Sequence, residues 1–475
     1  RNGTVSVLWA SLAMVATPDR VETPAAPLTR LDVFHAYVWV LMVAFVVTLC
    51  ATPIMRRLAI RNGVIDRPND PRKIHKMPIA YMGGVAVFLG IVAGIFYSYL
   101  GDYFPELLDY RGGKGLAIGL DQPPVPFSIL IGMTSIAVVG LIDDVVGTTP
   151  RVKIGGQLIA AAALAADDVG VKVAAGVLVP IAKGLGIPTT FQGTFETLAF
   201  SIPLPVAFGG FDHIPIDVVY WTGTAIIGFF VIGACNASNL IDGLDGLLTG
   251  VTAIAVTGLL VIALSLTVVM NDGVAGDGPR DSQRVVLCMA VLGACLGFLP
   301  HNFNPASIFL GDCGSLLLGF CTIVIVLSLG DTGKTYLVVA GLVIYAIPMM
   351  DTMLAIVRRK MAGKRISDAD SDHLHHMLKR VMGVKGAALS LYGIGIAFAS
   401  LGILMSLWRQ RVVYALAVVF LSYIGVIAIK TARRKQLEEQ VLGLESKPAP
   451  GAAPVATPPA TSPAEIAKPT ETLPA

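Results

Sequence analysis

Residues 236–270 read NASNLIDGLDG followed at once by LLTGVTAIAVTGLLVIALSLTVVM, and the junction between these two halves decides the fold. The second half, 247–270, carries no charged residue and is long enough to cross a bilayer, which takes about 20 mostly apolar residues. The first half sets two Asn, two Asp and two Gly into eleven residues at the mouth of that run. A helix cap followed by a turn explains one Asn and one Gly. It does not explain Asn239, Asp242 and Asp245 together at a membrane boundary.

Working outward, the same juxtaposition recurs. Apolar runs fall at 33–55, 80–100, 125–142, 154–170, 216–235, 247–270, 285–301, 314–330, 336–357, 387–407 and 412–430. The expected fold is therefore all-α, a polytopic membrane bundle of ten to eleven helices with its active-site loops on the cytoplasmic face. Composition agrees: 55% of the chain is hydrophobic and 14% charged, against about 25% charged in soluble domains. The six cysteines lie in or beside apolar runs without a CxxC pair, which reads as small core residues rather than disulfides or zinc ligands. Residues 1–32 read as an extracytoplasmic segment, with Val5–Ala16 too short to span. The transmembrane domain covers 33–430. The tail 431–475, rich in Pro, Ala and Thr from Lys447 onward, reads as disordered and cytoplasmic.

Lys and Arg orient the bundle. Basic residues crowd the loop after the first span (Arg56, Arg57, Arg61, Arg67, Arg72, Lys73, Lys76) and the loop after the ninth (Arg358, Arg359, Lys360 and beyond). Loops on the alternate side hold few. The N-terminus is then outside, and the protein is expected in the plasma (inner) membrane.

With that orientation, five polar motifs fall on one side. They are Arg72-Lys73-Ile-His75, Asp143-Asp144 with Lys153 beyond it, Asn239 to Asp245, Asn302 to Ser315 with Phe309 and Asp312, and His373-Leu-His375-His376. Scattered solubilising residues have no reason to choose alternate loops. Gathered carboxylates repel one another, and a hard divalent ion such as magnesium, with manganese as the alternative, relieves this while binding substrate phosphate. The basic residues supply phosphate contacts, and Phe309 offers a stacking face for a base. The residues thus read as a site for magnesium, phosphate and a nucleotide, bordering lipid. The pair Asp167-Asp168 is a useful control: it falls at the far end of the fourth span, about 25 Å away at 1.5 Å per residue, and reads as an ordinary outer helix end.

At these residues, from about Asp66 to Arg380, the chain resembles the polyprenyl-phosphate N-acetylhexosamine-1-phosphate transferases. Arg-Lys-x-His near Met-Gly-Gly, Asp-Asp, Asn-x-x-Asn-Leu-x-Asp-Gly-Leu-Asp-Gly, Phe-x-Gly-Asp-x-Gly-Ser and His-x-His-His occur in the family's order. The ending His373-Leu-His375-His376-Met-Leu-Lys-Arg resembles the GlcNAc-1-phosphate branch rather than the MurNAc-pentapeptide translocase. The resemblance implies transfer of GlcNAc-1-phosphate from UDP-GlcNAc to undecaprenyl phosphate. It places Asn239 and Asp312 on magnesium, and Asp242, Gly243, Asp245 and Phe309 around the uridine. Asp143 and Asp144 would lie by the lipid phosphate, and the histidines by the diphosphate or sugar. Lys73, His75 and Lys153 become further basic contacts, and Asn302 matches a family position upstream of Gly311-Asp312. Cys313 stands where relatives often have Thr, and 171–215 is long for its connection.

Two routes fit the residues, a single displacement with Asp143 orienting the lipid phosphate, and a double displacement through a phosphorylated Asp. A transporter is the reading from another class. It would place charge near the midplane and commonly shows repeats, neither of which is present. The Asp-Gly-x-x-Ala-Arg signature of CDP-alcohol phosphotransferases is absent as well. The partners expected are the two substrates and membrane lipid. Paired copies are compatible with this reading, and nothing points to nucleic acid.

Overall fold

The computed structural model describes residues 30–66, 78–103, 124–192, 195–208, 211–269, 280–331, 333–361, 363, 373–408 and 410–445. Every apolar run becomes helix. In chain order these are α1 (Arg30–Arg61), α2 (Gly83–Tyr103), α3 (Phe127–Val146), α4 (Pro150–Ala166), α5 (Ala175–Gly184), α6 (Val218–Ile241), α7 (Leu247–Val269), α8 (Arg280–Asn302) and α9 (Gly311–Ser328). They continue with α10 (Thr335–Ile344), α11 (Ala346–Met361), α12 (Leu374–Leu407) and α13 (Gln410–Glu445). Among the described residues eight helices are long and apolar enough to cross a membrane, and a ninth span arises if α10 and α11, bent by 80°, count as one.

That number is lower than ten to eleven for identifiable reasons. The expected fourth span, α4, has 17 residues, about 25 Å at 1.5 Å per residue, just short of a hydrocarbon core of about 30 Å. The last expected span lies in α13, whose apolar part is Gln410–Phe420. The helix α13 continues to Glu445, so residues 431–445 are helical where disorder was expected. Residues 1–29 and 446–475 lie outside the described residues.

At the centre stands α9. Its apolar window is 94% buried, and α2, α3, α6, α7, α8 and α10 all pack on it. A helix apolar all round belongs inside a bundle. Its neighbours come close because small residues line the seams, as membrane helices require where lipid is no less apolar than protein. Gly84 on α2 meets Gly314 on α9 so tightly that a Cβ on Gly84 would lie 2.1 Å from the Gly314 nitrogen.

Short strands finish both ends. The antiparallel pair β1 (Ile65–Asp66) and β2 (Ile79–Ala80) is extended by a parallel bridge from Ala80 to Ile308. Phe309 N donates to Ala80 O at 2.9 Å, and Gly83 N donates back to Phe309 O at 3.0 Å. This stitches the start of α2 to the start of α9. At the other end the long 171–215 connection folds as a 3-10 turn (Val171–Ala174), α5, the hairpin β3 (Thr190–Gln192)–β4 (Phe195–Thr197), and the first part of a second hairpin, β5 (Ala199–Phe208)–β6 (Phe211–Asp217). Asp167 is there too, accepting from Ser128 Oγ at 2.9 Å, which makes it the helix-end residue its position implied.

Candidate active site

At the strand-stitched end, a half-open cavity of about 660 Å³ collects Arg56, Asp66, Tyr81, Asn239, Asp242, Gly243, Asp245, Asn302, Phe309, Asp312 and His376. These sit at or beside the close of α1, α6 and α8 and the opening of α9 and α12, with Asp143 in the last turn of α3 and Lys153 in the first turn of α4 adjoining them. Consecutive antiparallel helices bring alternate loops to one end, so the sequence motifs meet.

Asp312 is the hub. Lys153 bridges the Asp312 and Asp143 carboxylates, its Nζ 2.8 Å from Asp143 Oδ2 and in direct contact with Asp312 Oδ2. Asn239 Nδ2 donates to Asp312 Oδ1 at 2.8 Å and to Ser315 Oγ at 3.0 Å. Asp143 Oδ1 also accepts from Thr148 N at 2.8 Å and Thr148 Oγ1 at 2.6 Å, which orients its carboxylate toward Lys153.

The Asp-Asp pair divides its work. Successive helix residues point about 100° apart, so one faces Lys153 and the other faces α9. Asp144 accepts the backbone N–H groups of Asp312 at 2.7 Å and Cys313 at 3.0 Å. It therefore caps α9 from a neighbouring helix, satisfying donors that a helix start leaves open and favouring the positive end of its dipole. The carboxylate of Asp144 is engaged by that cap. Asp144→Ala is expected to cost about 1–2 kcal/mol of stability, with Asp144→Asn losing less because one oxygen still accepts. Thermal unfolding in detergent checks this, and equal stability in all three proteins would rule the cap out.

The Asn-rich motif divides likewise. Asn236 faces α4, donating to Gln157 Oε1 at 3.0 Å, while Asn239, three residues on, faces the cavity. Asp245 Oδ2 accepts from Asn304 Nδ2 at 2.8 Å and Ala306 N at 3.0 Å. Asn302 is buried, accepting from Thr249 Oγ1 at 3.0 Å and donating to Ile308 O at 3.2 Å. Both hold the 303–309 loop that presents Phe309, so Asn302 lines the cavity with its amide already hydrogen-bonded. Burial first, then the charges of Asp312, Asp144 and Asp245, pushes the Asp242 carboxyl up to about 8.

Of the histidines, His376 reaches the cavity, whereas His373 and His375 are buried behind it. Lys73 and His75 lie outside the described residues. Sequence reasoning passed over three cavity residues. Arg56 looked like one more membrane anchor, but it lines the wall. Asp66 ends β1 and Tyr81 follows β2, and the Tyr81 ring lies 5.9 Å from that of Phe309. Burial, then the Asp66 carboxylate, pushes the Tyr81 phenol up. Only the register of the hairpin with Ile308 brings Tyr81 and Phe309 together, and no local pattern announces it.

Among the described residues no three His, Cys, Asp or Glu side chains converge as a ready-made metal cage. Such convergence is not what magnesium asks for: it keeps waters and takes one or two carboxylates together with substrate phosphate. Asp312 with the side-chain carbonyl oxygen of Asn239 fits that hard-oxygen set, and the neighbouring carboxylates that add to burial in raising Asp242 are charge that a cation would relieve.

The chain matches the family model described as "Glycosyl transferase family 4" over residues 126–330. It is 30% identical over 396 residues to the probable undecaprenyl-phosphate N-acetylglucosaminyl 1-phosphate transferase of Bacillus subtilis (strain 168), covering 82% of this chain and 92% of that protein. With the decaprenyl-phosphate N-acetylglucosaminephosphotransferase of Mycobacterium tuberculosis (strain H37Rv) it shares 32% identity over 354 residues, 72% of this chain and 75% of the other. A phospho-N-acetylmuramoyl-pentapeptide-transferase of Bacillus cytotoxicus is 27% identical over 384 residues, 77% of this chain and 96% of its own. Likeness of this extent, 30% or more over most of both chains, means that the protein belongs to the polyprenyl-phosphate N-acetylhexosamine-1-phosphate transferase family.

Proposed function

We propose that the protein transfers GlcNAc-1-phosphate from UDP-GlcNAc to a polyprenyl phosphate, with release of UMP, as an early membrane step of cell-envelope glycan synthesis. The observation that carries this is the chain Asp143–Lys153–Asp312–Asn239, whose Asp312 and Asn239 line a cavity at one end of an apolar bundle and whose Lys153 and Asp143 adjoin it. Such a place admits a lipid-borne phosphate and a water-soluble nucleotide at once. The names of the Bacillus subtilis and Mycobacterium tuberculosis relatives, and the His-x-His-His spacing, favour GlcNAc over MurNAc-pentapeptide.

The acceptor phosphate oxygen attacks the β-phosphorus of UDP-GlcNAc. The bond from that phosphorus to the bridging oxygen breaks, and UMP carries the electron pair away. Such chemistry is mostly positioning and charge stabilisation. Lys153 offers its ammonium to phosphate oxygens between Asp143 and Asp312. Asp143, set by Thr148, orients the acceptor phosphate and takes its last proton where one is present. Phe309 and Tyr81 form a ring platform for the base, and His376 contacts the diphosphate or sugar. Magnesium, or manganese, would be held by Asp312 and Asn239 and would neutralise charge on the leaving phosphate. The Lys- and Arg-rich loops favour the cytoplasmic face of the plasma membrane for this end of the bundle.

The test is UMP release by detergent-purified protein given UDP-GlcNAc, undecaprenyl phosphate and magnesium. Release is expected to require the lipid and to fall at least about 10²-fold with a chelator. Lipid-independent release, or full activity in chelator, would sink the corresponding part. A panel of UDP-N-acetylhexosamines tests the sugar, and exchange of labelled UMP into UDP-GlcNAc without lipid would exclude the single displacement.

A further inference from the structure

The three histidines read in sequence as one cluster, yet they have different surroundings. His376 lines the cavity, while His373 and His375 are 5% and 1% exposed. Both turn Nδ1 toward one buried carboxylate that no motif singled out, Asp351 on α11. Asp351 Oδ2 lies 3.1 Å from His373 Nδ1 and 3.3 Å from His375 Nδ1, with hydrogen-bond alignment for His373 alone. Its other oxygen accepts the amide of Leu374, the first residue of α12, at 2.8 Å. The rings of His373 and His375 stack at 5.5 Å and 21°, and those of His375 and His376 are 4.2 Å apart. On its far side His375 abuts Gly243, where a Cβ would stand 2.6 Å from Nε2.

A carboxylate 1% exposed is costly unless it is paired and hydrogen-bonded. Here both oxygens are occupied by groups that lead to the cavity wall. A carboxylate behind an imidazole fixes its tautomer and ring orientation. We infer that Asp351 is a positioning residue for the transfer proposed above: it holds the His373 proton on Nδ1, pins the first turn of α12, and through the stacked His375 fixes both His376 and the Gly243 backbone. The inference rests on that reaction, since its rates are read there.

The test uses the purified full chain with UDP-GlcNAc, undecaprenyl phosphate and magnesium. Asp351→Asn keeps the shape but sets an NH2 group against one of the two donors the carboxylate accepts from, the His373 Nδ1–H or the Leu374 amide. The expected result is a kcat about 10- to 100-fold lower, with KM for UDP-GlcNAc changed less than about threefold, and partial recovery in Asp351→Glu. In a His376→Ala background the same substitution is expected to cost clearly less than in wild type, the remainder acting through Gly243, because residues acting as a unit are not additive. A folded Asp351→Asn with wild-type kcat, or losses that multiply in the double variant, overturns the inference. If Asp351→Asn does not fold, His373→Ala, which removes the ring Asp351 holds, carries the same expectations and the same reversals. Wild-type protein that releases no UMP from any UDP-N-acetylhexosamine overturns the proposed reaction instead. Hydrogen exchange then decides the positioning role. Asp351→Leu is expected to speed exchange of the Leu374–Met377 amides about tenfold, and unchanged protection overturns it.

Discussion

Asp312→Asn is expected to lower kcat by at least about 10³-fold while leaving thermal unfolding close to wild type. Three separate contributions to turnover go with that charge. Lys153 keeps only Asp143 as counter-ion, Asn239 loses the carboxylate that orients its amide, and the proposed magnesium loses its anionic protein ligand. Removing one preorganised electrostatic contact at a transition state costs about 10²–10³, and here two or more are affected. Stability is spared because the start of α9 is capped by Asp144 through backbone N–H groups, which the substitution leaves in place. UMP release and an unfolding curve on the same preparation check both halves. Activity within tenfold of wild type would remove Asp312 from the centre of the site.

Gly84→Val is the substitution with the largest expected effect on the fold. The atom that would meet the new Cβ at 2.1 Å is backbone, the Gly314 nitrogen in the first turn of α9, with the Gly314 Cα at 2.6 Å. A flexible side chain could rotate away, but two helix backbones cannot separate locally. Overpacking a core costs about 1–3 kcal/mol where side chains can shift, so a backbone clash at the central helix is expected to exceed about 3 kcal/mol. The readout is monodisperse protein in detergent, with little or none expected. A well-folded Gly84→Val that retained activity would mean that α2 and α9 are not locked at this crossing. Gly84→Ala, with the same Cβ and nothing beyond it, is expected to fall between the two.

How much of this was legible in the chain follows from the range of the interactions involved. Apolar runs report on lipid or protein burial residue by residue, and every run foreseen as a span is helix in the structure. Alternation of polar motifs with those runs is a matter of counting, so Asp143, Asn239, Asp312 and His376 were foreseeable as neighbours. The number of spans was less legible. A bend of 80° between Ile344 and Ala346 and the 17 residues of α4 depend on packing that hydropathy does not sense. The helical continuation to Glu445 was also hidden, because a polar composition argues against a core but does not forbid a helix.

Roles within each motif needed the tertiary structure. The sequence by itself determined that this is a membrane helix bundle with its chemistry at one end, because hydrophobicity and motif order are properties of the linear chain. Only the folded arrangement decided that Asp143 faces Lys153 while Asp144 caps α9, that Asn239 faces the cavity while Asn236 braces α4, and that Asp351 stands behind two of three histidines. The physical reason is angular. Residues one or three apart on a helix differ by a rotation that is known in advance, but which neighbour waits at each angle is set by helices far away in sequence.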